Sequence, residues 1–443
     1  MKSVLIIGAG LSGLTAATAL KKSGYSVILL ETSQSPGGVA QTILKDGFRC
    51  ELGPNTFLVS QPETVRFLKE NDLWENAMDA APLVKNRFVV KNEKLTPLPL
   101  NPLSLLSTPL ISWQGKRQLC HGLFSSSPVK SEETIANFFR QEFGKEILQE
   151  MVDPFISGIW AGNPEQLILR HAFPKLYRIK NESKNLVHAF LKKKKTGVKR
   201  RLISWPEGLG FLSQKLASHQ TIHYQTEALA ITQKNNQFHV ETNKKSFTSD
   251  FVILAASLSQ ISKLLTPIIP EPKNFPTIPQ ASLNVIHLGF HRAAIQHPLN
   301  GFGVLISRQR NIRTLGALFP STLFPQRAPD NHILLTAFLG GVQDPTAIAL
   351  SNEMLLEQIQ SDLAPLLGIT QKPTFHHIVR WPQAIPQYDI HYDSFLDLYQ
   401  NVEHQFPGLY LLGNYRGGIS LENVILNALK LSDFFPSTNS HKR

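Results

Sequence analysis

Residues 3–31, SVLIIGAGLSGLTAATALKKSGYSVILLE, decide how the first part of this chain folds. The run SVLII is continuously apolar, as a strand buried on both faces requires. LSGLTAATALKK carries apolar residues at helical spacing and runs out at Gly24, a residue type that ends helices. SVILL is a second buried strand. The turn between the first strand and the helix is Gly8-Ala9-Gly10-Leu11-Ser12-Gly13, a GxGxxG pattern. Its first glycine permits the tight turn, the second lets backbone approach a pyrophosphate, and the third lets the helix pack closely. Amides at the helix N-terminus then face negative charge. Glu31 ends the second strand 18 residues after Gly13, where a carboxylate can accept ribose hydroxyls. Glycines at such a turn can serve backbone geometry alone, but with the carboxylate added the unit reads as a dinucleotide site.

Working outward, the 443 residues are too many for one core, so two or three domains are expected. Hydrophobic residues make up 42%, enough to fill them. The chain has no run of about 18 uncharged apolar residues, and glycines interrupt its apolar start where a signal peptide would not. A soluble, cytoplasmic protein is the expectation. Cys50 and Cys120 stand alone, with no Cys/His cluster, so neither a disulfide framework nor a metal site is expected. Of the net charge of +12, seven positive charges lie in KKKKTGVKRR, 192–201, leaving +5 elsewhere. Such a run is ordinarily a solvated loop, and without interleaved aromatic residues it argues against nucleic acid as a partner. A positive surface also attracts acidic substrates.

From about residue 60 to 200 helical segments broken by prolines predominate; SEETIANFFRQEFGKEILQEMV opens with residues that can cap a helix. Residues 221–256 alternate in the strand manner and end in FVILAA, a parallel core strand. Further strands are expected in SLNVIHLGFH, GFGVLISR, RTLGALF and HILLTAFLGG, forming a separate sheet. The last segment, GLYLLGNYRGGISLENVILNALKL, reads as strand, glycine-rich turn and helix, which returns the chain to its first domain.

Two more glycine-rich turns follow the second strand, Gly37-Gly38 in SPGGVAQT and Gly53-Pro54-Asn55-Thr56 after Glu51-Leu52. A matching element stands at the far end: Gly413, Asn414, Tyr415, Arg416, Gly417, Gly418, Ile419, Ser420 and Leu421. Separation by nearly the whole chain argues against a contiguous NAD domain. Together these elements resemble the FAD-binding motifs of the amine oxidase and protoporphyrinogen oxidase superfamily. Where many relatives carry a basic or large residue after the two glycines, this chain has Val39. MVDPFISGIWAGNPEQLILRHAFPKLY (151–177), GFGVLISRQRNIRTLGALFPSTLFPQRAP (301–329), LGGV (339–342) and WPQAIPQY (381–388) extend the likeness over the full length. They resemble segments of the oxygen-dependent protoporphyrinogen oxidases.

The resemblance implies an α/β fold with a Rossmann-type FAD-binding domain, a mixed-sheet substrate domain and a helical insertion. FAD-binding parts are expected at 1–75, 201–270 and 395–443, the insertion at 76–200 and the substrate sheet at 271–394. It implies one noncovalent FAD per chain, since the far motif holds no Cys or His, and it adds Ala228 to the cofactor set. Phe302, Gly303, Leu305 and Phe338 are implied walls for a porphyrinogen, and Arg87 a partner for a propionate, since guanidinium pairs bidentately with carboxylate. Strand packing and an exposed loop arginine are the bland alternatives. Tyr388 and His391 receive no role. The implied reaction is oxidation of protoporphyrinogen IX, with dioxygen or another acceptor and with neighbouring haem-pathway enzymes as partners. Coproporphyrinogen oxidation, an amine oxidase or carotenoid desaturase, and a flavin-free escort protein on the same scaffold are the rivals. The apolar stretch 95–113 with the basic run is a candidate peripheral contact with the inner face of the membrane, or else an ordinary buried core.

Overall fold

Five short apolar strands lie parallel in the order Thr221–His223, Ser26–Leu30, Ser3–Ile7, Phe251–Leu254 and Leu409–Leu411. They belong to a computed structural model that describes residues 1–82, 86–99, 102–192, 198–269 and 277–435. The central strands are buried along almost their whole length because helices cover the sheet. Helix Leu11–Lys22 stops where expected: Gly24 takes φ +85° and its amide bonds back to Lys21 O. This helix packs against Leu421–Asp433, so the two ends of the chain share one layer. Glu422 fastens them. It is 7% exposed, and its carboxylate accepts the Ser60 amide at 2.7 Å, the Ser60 hydroxyl at 2.6 Å and the Gln61 amide at 2.9 Å. The hairpin strands Ala228–Lys234, Gln237–Thr242 and Phe247–Ser249 form a small antiparallel sheet between two strands of the parallel one.

A seven-stranded mixed sheet runs Phe375–Pro386, Gln280–His291, His332–Gly340, Thr314–Leu318, Gly303–Leu305, Arg87–Lys91 and Lys94–Pro97. Four of its strands fall in the expected stretches, although GFGVLISR contributes only Gly303–Leu305. The other three were not read from the sequence. Phe375–Pro386 carries Pro382 and Pro386, which a central strand rejects, and it occupies the sheet edge, where a missing amide is tolerated. The Arg87–Pro97 hairpin lies within the stretch read as mainly helical and closes the other edge.

Between residues 102 and 192 the chain is helical. The helix expected to start near Ser131 begins at Ile135, because Thr134 accepts the Asn137 amide at 3.2 Å. Gly144, at φ +86°, ends it, and a wide turn over Leu148–Val152 leads into Asp153–Trp160. Leu110 and Ile111 of the apolar stretch are buried, whereas Trp113 and Phe124, at the two ends of one helix, are 76% and 64% exposed. Of the basic run, 193–197 lie outside the described residues; Lys199 and Arg200 are exposed and Arg201 pairs with Asp79 at 2.8 Å. Among the described residues no helix is long and apolar enough to cross a membrane.

Replacing Glu422 with Ala leaves two half-buried amides and a hydroxyl without their acceptor. Chemical denaturation of Glu422→Ala is expected to show a loss of roughly 2–3 kcal/mol relative to wild type.

Candidate functional site

The site grows from the turn at residues 8–13. Gly8 takes φ +109°, and a Cβ there would stand 2.5 Å from Ala255 O; a Cβ on Gly13 would run into the Gly8 carbonyl. Both glycines thus hold helix against strand. Gly10 differs, since a Cβ added to it would meet nothing within 4 Å. No side chain caps the helix at Gly10, so the amides of Leu11, Ser12 and Gly13 point into that open space. Glu31 is 8% exposed and accepts the amides of Ala9 and Ser33, each at 2.8 Å. Its own carbonyl takes the Thr226 amide at 2.8 Å, which brings buried Ala228 alongside.

The other glycine turns close around this one. The Gly37 amide donates to Ala9 O at 2.8 Å, and Gly38 abuts Gly10. Gly53 presses on the Val39 carbonyl, and Val39 itself is 41% exposed. Pro54 and Thr56 are half-buried. Asn55 is buried; its amide nitrogen reaches Gly53 O at 3.0 Å, and its Oδ1 has no partner among the described residues. Ser60 and Gln61, just beyond, hold Glu422, so the 413–421 element lies next to these turns.

In that element Gly413 is buried, and Asn414, Gly418 and Ile419 are half-buried. Arg416 pairs bidentately with Glu403 at 2.7 and 3.0 Å. Ser420 caps the following helix by accepting the Asn423 amide at 3.2 Å, and Leu421 is its first residue. The amide of Gly418, a member of the far motif, donates to the Tyr388 hydroxyl at 3.1 Å.

Strand register places the substrate candidates. Val379, Val285, Phe338, Gly316, Leu305 and Val89 stand opposite one another across the sheet, so Phe338 and Leu305 share a face. The opposite face, with Val304, Ala317, Ala337 and Ile286, packs under helix Asn352–Leu367. Arg87 and Gly303, two residues along their strands, belong to the face of Phe338. Gly303 has its own structural reason, because a Cβ would strike the Ala317 carbonyl. Phe302 packs with Leu323 and Phe324, and the Arg87 guanidinium lies 4.9 Å above its ring. At Trp381 the face of Phe338 reaches a glycine turn, Nε1 donating to Leu52 O at 2.7 Å, whereas Leu305 packs on Gly158 of helix Asp153–Trp160.

The model of the flavin containing amine oxidoreductase family matches residues 11–430. The chain belongs to this family. Protoporphyrinogen oxidase 2, chloroplastic/mitochondrial, of Arabidopsis thaliana is 30% identical over 475 residues, covering 98% of this chain and 93% of that protein. Coproporphyrinogen III oxidase of Bacillus subtilis (strain 168) is 25% identical over 452 residues and 96% of each chain. A crystal structure from Exiguobacterium sp. 255-15 shares the fold with a TM-score of 0.83 at 23% identity over 98% of both chains. Putrescine oxidase does so at 0.70 and 14%, again over 98% of both.

As in other flavin amine oxidoreductases, a flavin cofactor is implied, and the residues fit one. An uncapped helix N-terminus faces open space at Gly10, and a buried amide oxygen on Asn55 lacks a donor. Sequence reasoning missed the supports. Glu51 and Arg327 form a buried ion pair at 3.0 Å, and Glu51 also accepts the Leu209 amide at 3.0 Å, which anchors the turn that follows it. Only the presence of Arg327 in the 301–329 segment of resemblance hinted at this. Tyr388, Tyr392 and Trp381 gave no local signal, because each bonds to backbone distant in sequence.

His287, in the row beside Phe338, is fully buried against Thr336, at 3.0 Å. Burial, with His377 adding to it, pushes its pKa from 6.5 down to about 3. A histidine kept neutral in the fold contributes stability above its unfolded pKa and loses it as pH falls toward the folded one. Between pH 7.5 and pH 5 the wild type is expected to lose about 2 kcal/mol more unfolding free energy than His287→Gln, measured by urea denaturation.

Proposed function

We propose that this chain oxidises protoporphyrinogen IX to protoporphyrin IX, using one noncovalently held FAD. The observation that supports this reading best is the apolar row of Phe338 and Leu305 on the sheet face whose Trp381 reaches the glycine turn at Leu52. A flat tetrapyrrole suits such a wall. Likeness over nearly the full chain to proteins named protoporphyrinogen oxidase adds to it. Coproporphyrinogen III is the second reading, favoured by the likeness to the Bacillus subtilis protein.

In this reading amides of Gly10 to Gly13 hold the pyrophosphate, with Gly8 and Ala9 shaping the turn. Glu31 accepts ribose hydroxyls with its remaining lone pairs, and Ala228 sits beside the adenosine half. Gly37, Gly38, Gly53, Pro54, Asn55 and Thr56 line the middle, and the Asn414 to Leu421 element with Gly413 lies against the ring. When bound, the flavin supplies the electron acceptor for three two-electron oxidations, each followed by reoxidation with dioxygen to hydrogen peroxide. Phe338 and Leu305 exclude water and orient the macrocycle. Arg87, its guanidinium laid on Phe302, keeps its edge free to pair with a propionate. Noncovalent attachment is supported by the 413–421 element, which holds no Cys or His. The protein acts in the cytoplasm, and exposed Trp113 and Phe124 give it peripheral contact with a membrane face.

The test is anaerobic. Purified protein should show flavin absorption that bleaches on adding protoporphyrinogen IX, and more slowly with coproporphyrinogen III; the reverse order would select the second reading. A colourless protein that cannot be loaded with FAD would defeat both. Gly10→Val should fold, by circular dichroism, yet lose its flavin. Phe338→Ala should retain flavin and raise KM by about tenfold, the effect of removing one apolar wall.

A further inference from the structure

Resting on the reading that the 413–421 element lies against the flavin, we propose that Tyr388 and Tyr392 are positioning residues that hold this element in its cofactor-binding shape through their hydroxyls. Tyr388 Oη donates to Asn414 O at 2.6 Å and accepts the Gly418 amide at 3.1 Å. Tyr392 Oη donates to Tyr415 O at 2.9 Å, and the Gly417 amide faces it. Each hydroxyl therefore joins the carbonyl at the start of the turn to an amide at its end. Two side chains, four residues apart, close the turn twice.

The geometry is rigid. The two rings stack with centroids 4.0 Å apart and planes 14° from parallel. Both tyrosines are almost wholly buried, as are Phe395, which stacks on Tyr392, and Tyr415, which meets Phe395 edge-on. Trp160 meets the Tyr388 ring edge-on at 5.1 Å, and His171 meets that of Tyr392 at 4.7 Å. Burial makes a lost hydroxyl partner costly, so each backbone bond holds its ring and its turn together. With Asn414 O and the Gly418 amide satisfied in this way, the backbone after Gly418 is free to present Ile419, Ser420 and the helix start outward.

Position along the chain gives the clamp a second connection. Tyr388 follows the sheet strand Phe375–Pro386, whose Trp381 holds Leu52. The carbonyl of Tyr388 accepts the Ile168 amide at 2.9 Å, and the neighbouring Gln387 side chain donates to Trp160 O at 3.0 Å. One segment thus bonds to the substrate sheet, to helix Asp153–Trp160 and to the flavin-side turn. A substrate pressing on Phe338 and a flavin resting on 413–421 share this segment as a common support.

The experiment uses the full chain with Tyr388→Phe, Tyr392→Phe and the double variant. Titration of FAD into apo-protein, the absorption spectrum of bound flavin and steady-state rates are recorded. Each hydroxyl removed is expected to weaken FAD binding about tenfold, to alter the vibronic shape of the flavin band and to lower kcat more than it raises KM. The rise in melting temperature on adding FAD serves as a second readout where a variant is less stable. Variants that lose stability as apo-proteins yet keep FAD affinity within about twofold and an unaltered spectrum would overturn the clamp and leave the flavin assignment standing. Wild-type protein that binds no FAD would overturn the assignment beneath it, and the clamp with it.

Discussion

The parallel ladder that joins Ser3–Ile7 to Phe251–Leu254, and that strand to Leu409–Leu411, brings residues about 400 apart into one sheet. Everything else at the candidate site follows from this pairing. It sets the uncapped helix after Gly10 and the Ser420-capped helix side by side, and Glu422 locks them by taking three hydrogen bonds from Ser60 and Gln61. Charge-assisted bonds of this kind, removed from water, are stronger than neutral ones and directional. Two helix N-termini aimed into one region make an environment that favours an anion.

The second sheet is tied to the first region by bonds that few local patterns announce. Trp381 reaches Leu52, Phe375 stacks on Phe48, and the buried Glu51–Arg327 pair fixes the strand that enters the glycine turn. The last of these has a steep asymmetry. Removing one partner strands a charge in a dry interior and costs far more than the pair contributes. That asymmetry makes the junction specific rather than strong.

Local patterns were legible and distant ones were not. The strand, helix and glycine turn over residues 3–31, and the end of the helix at Gly24, depend on residues near one another in sequence, and all appear as read. So do four strands of the large sheet. Phe375–Pro386 was hidden by its prolines, which only an edge position excuses, and the Arg87–Pro97 hairpin by its short length amid helices. Phe338 and Leu305 could be singled out by resemblance, but their common face emerges only from the register of three strands. Tyr388 looked like any lone aromatic, because its partners lie 26 and 30 residues away. Gly303 and Gly418 show the converse, since each has a backbone reason for being where it is that motif reading does not supply.

The most direct test is a structure of the FAD-loaded protein. The expected density places the pyrophosphate over the amides of residues 10–13 and the flavin ring between the 413–421 element and the face bearing Phe338 and Leu305. A flavin gripped by one chain end alone, or lying away from that face, would contradict it.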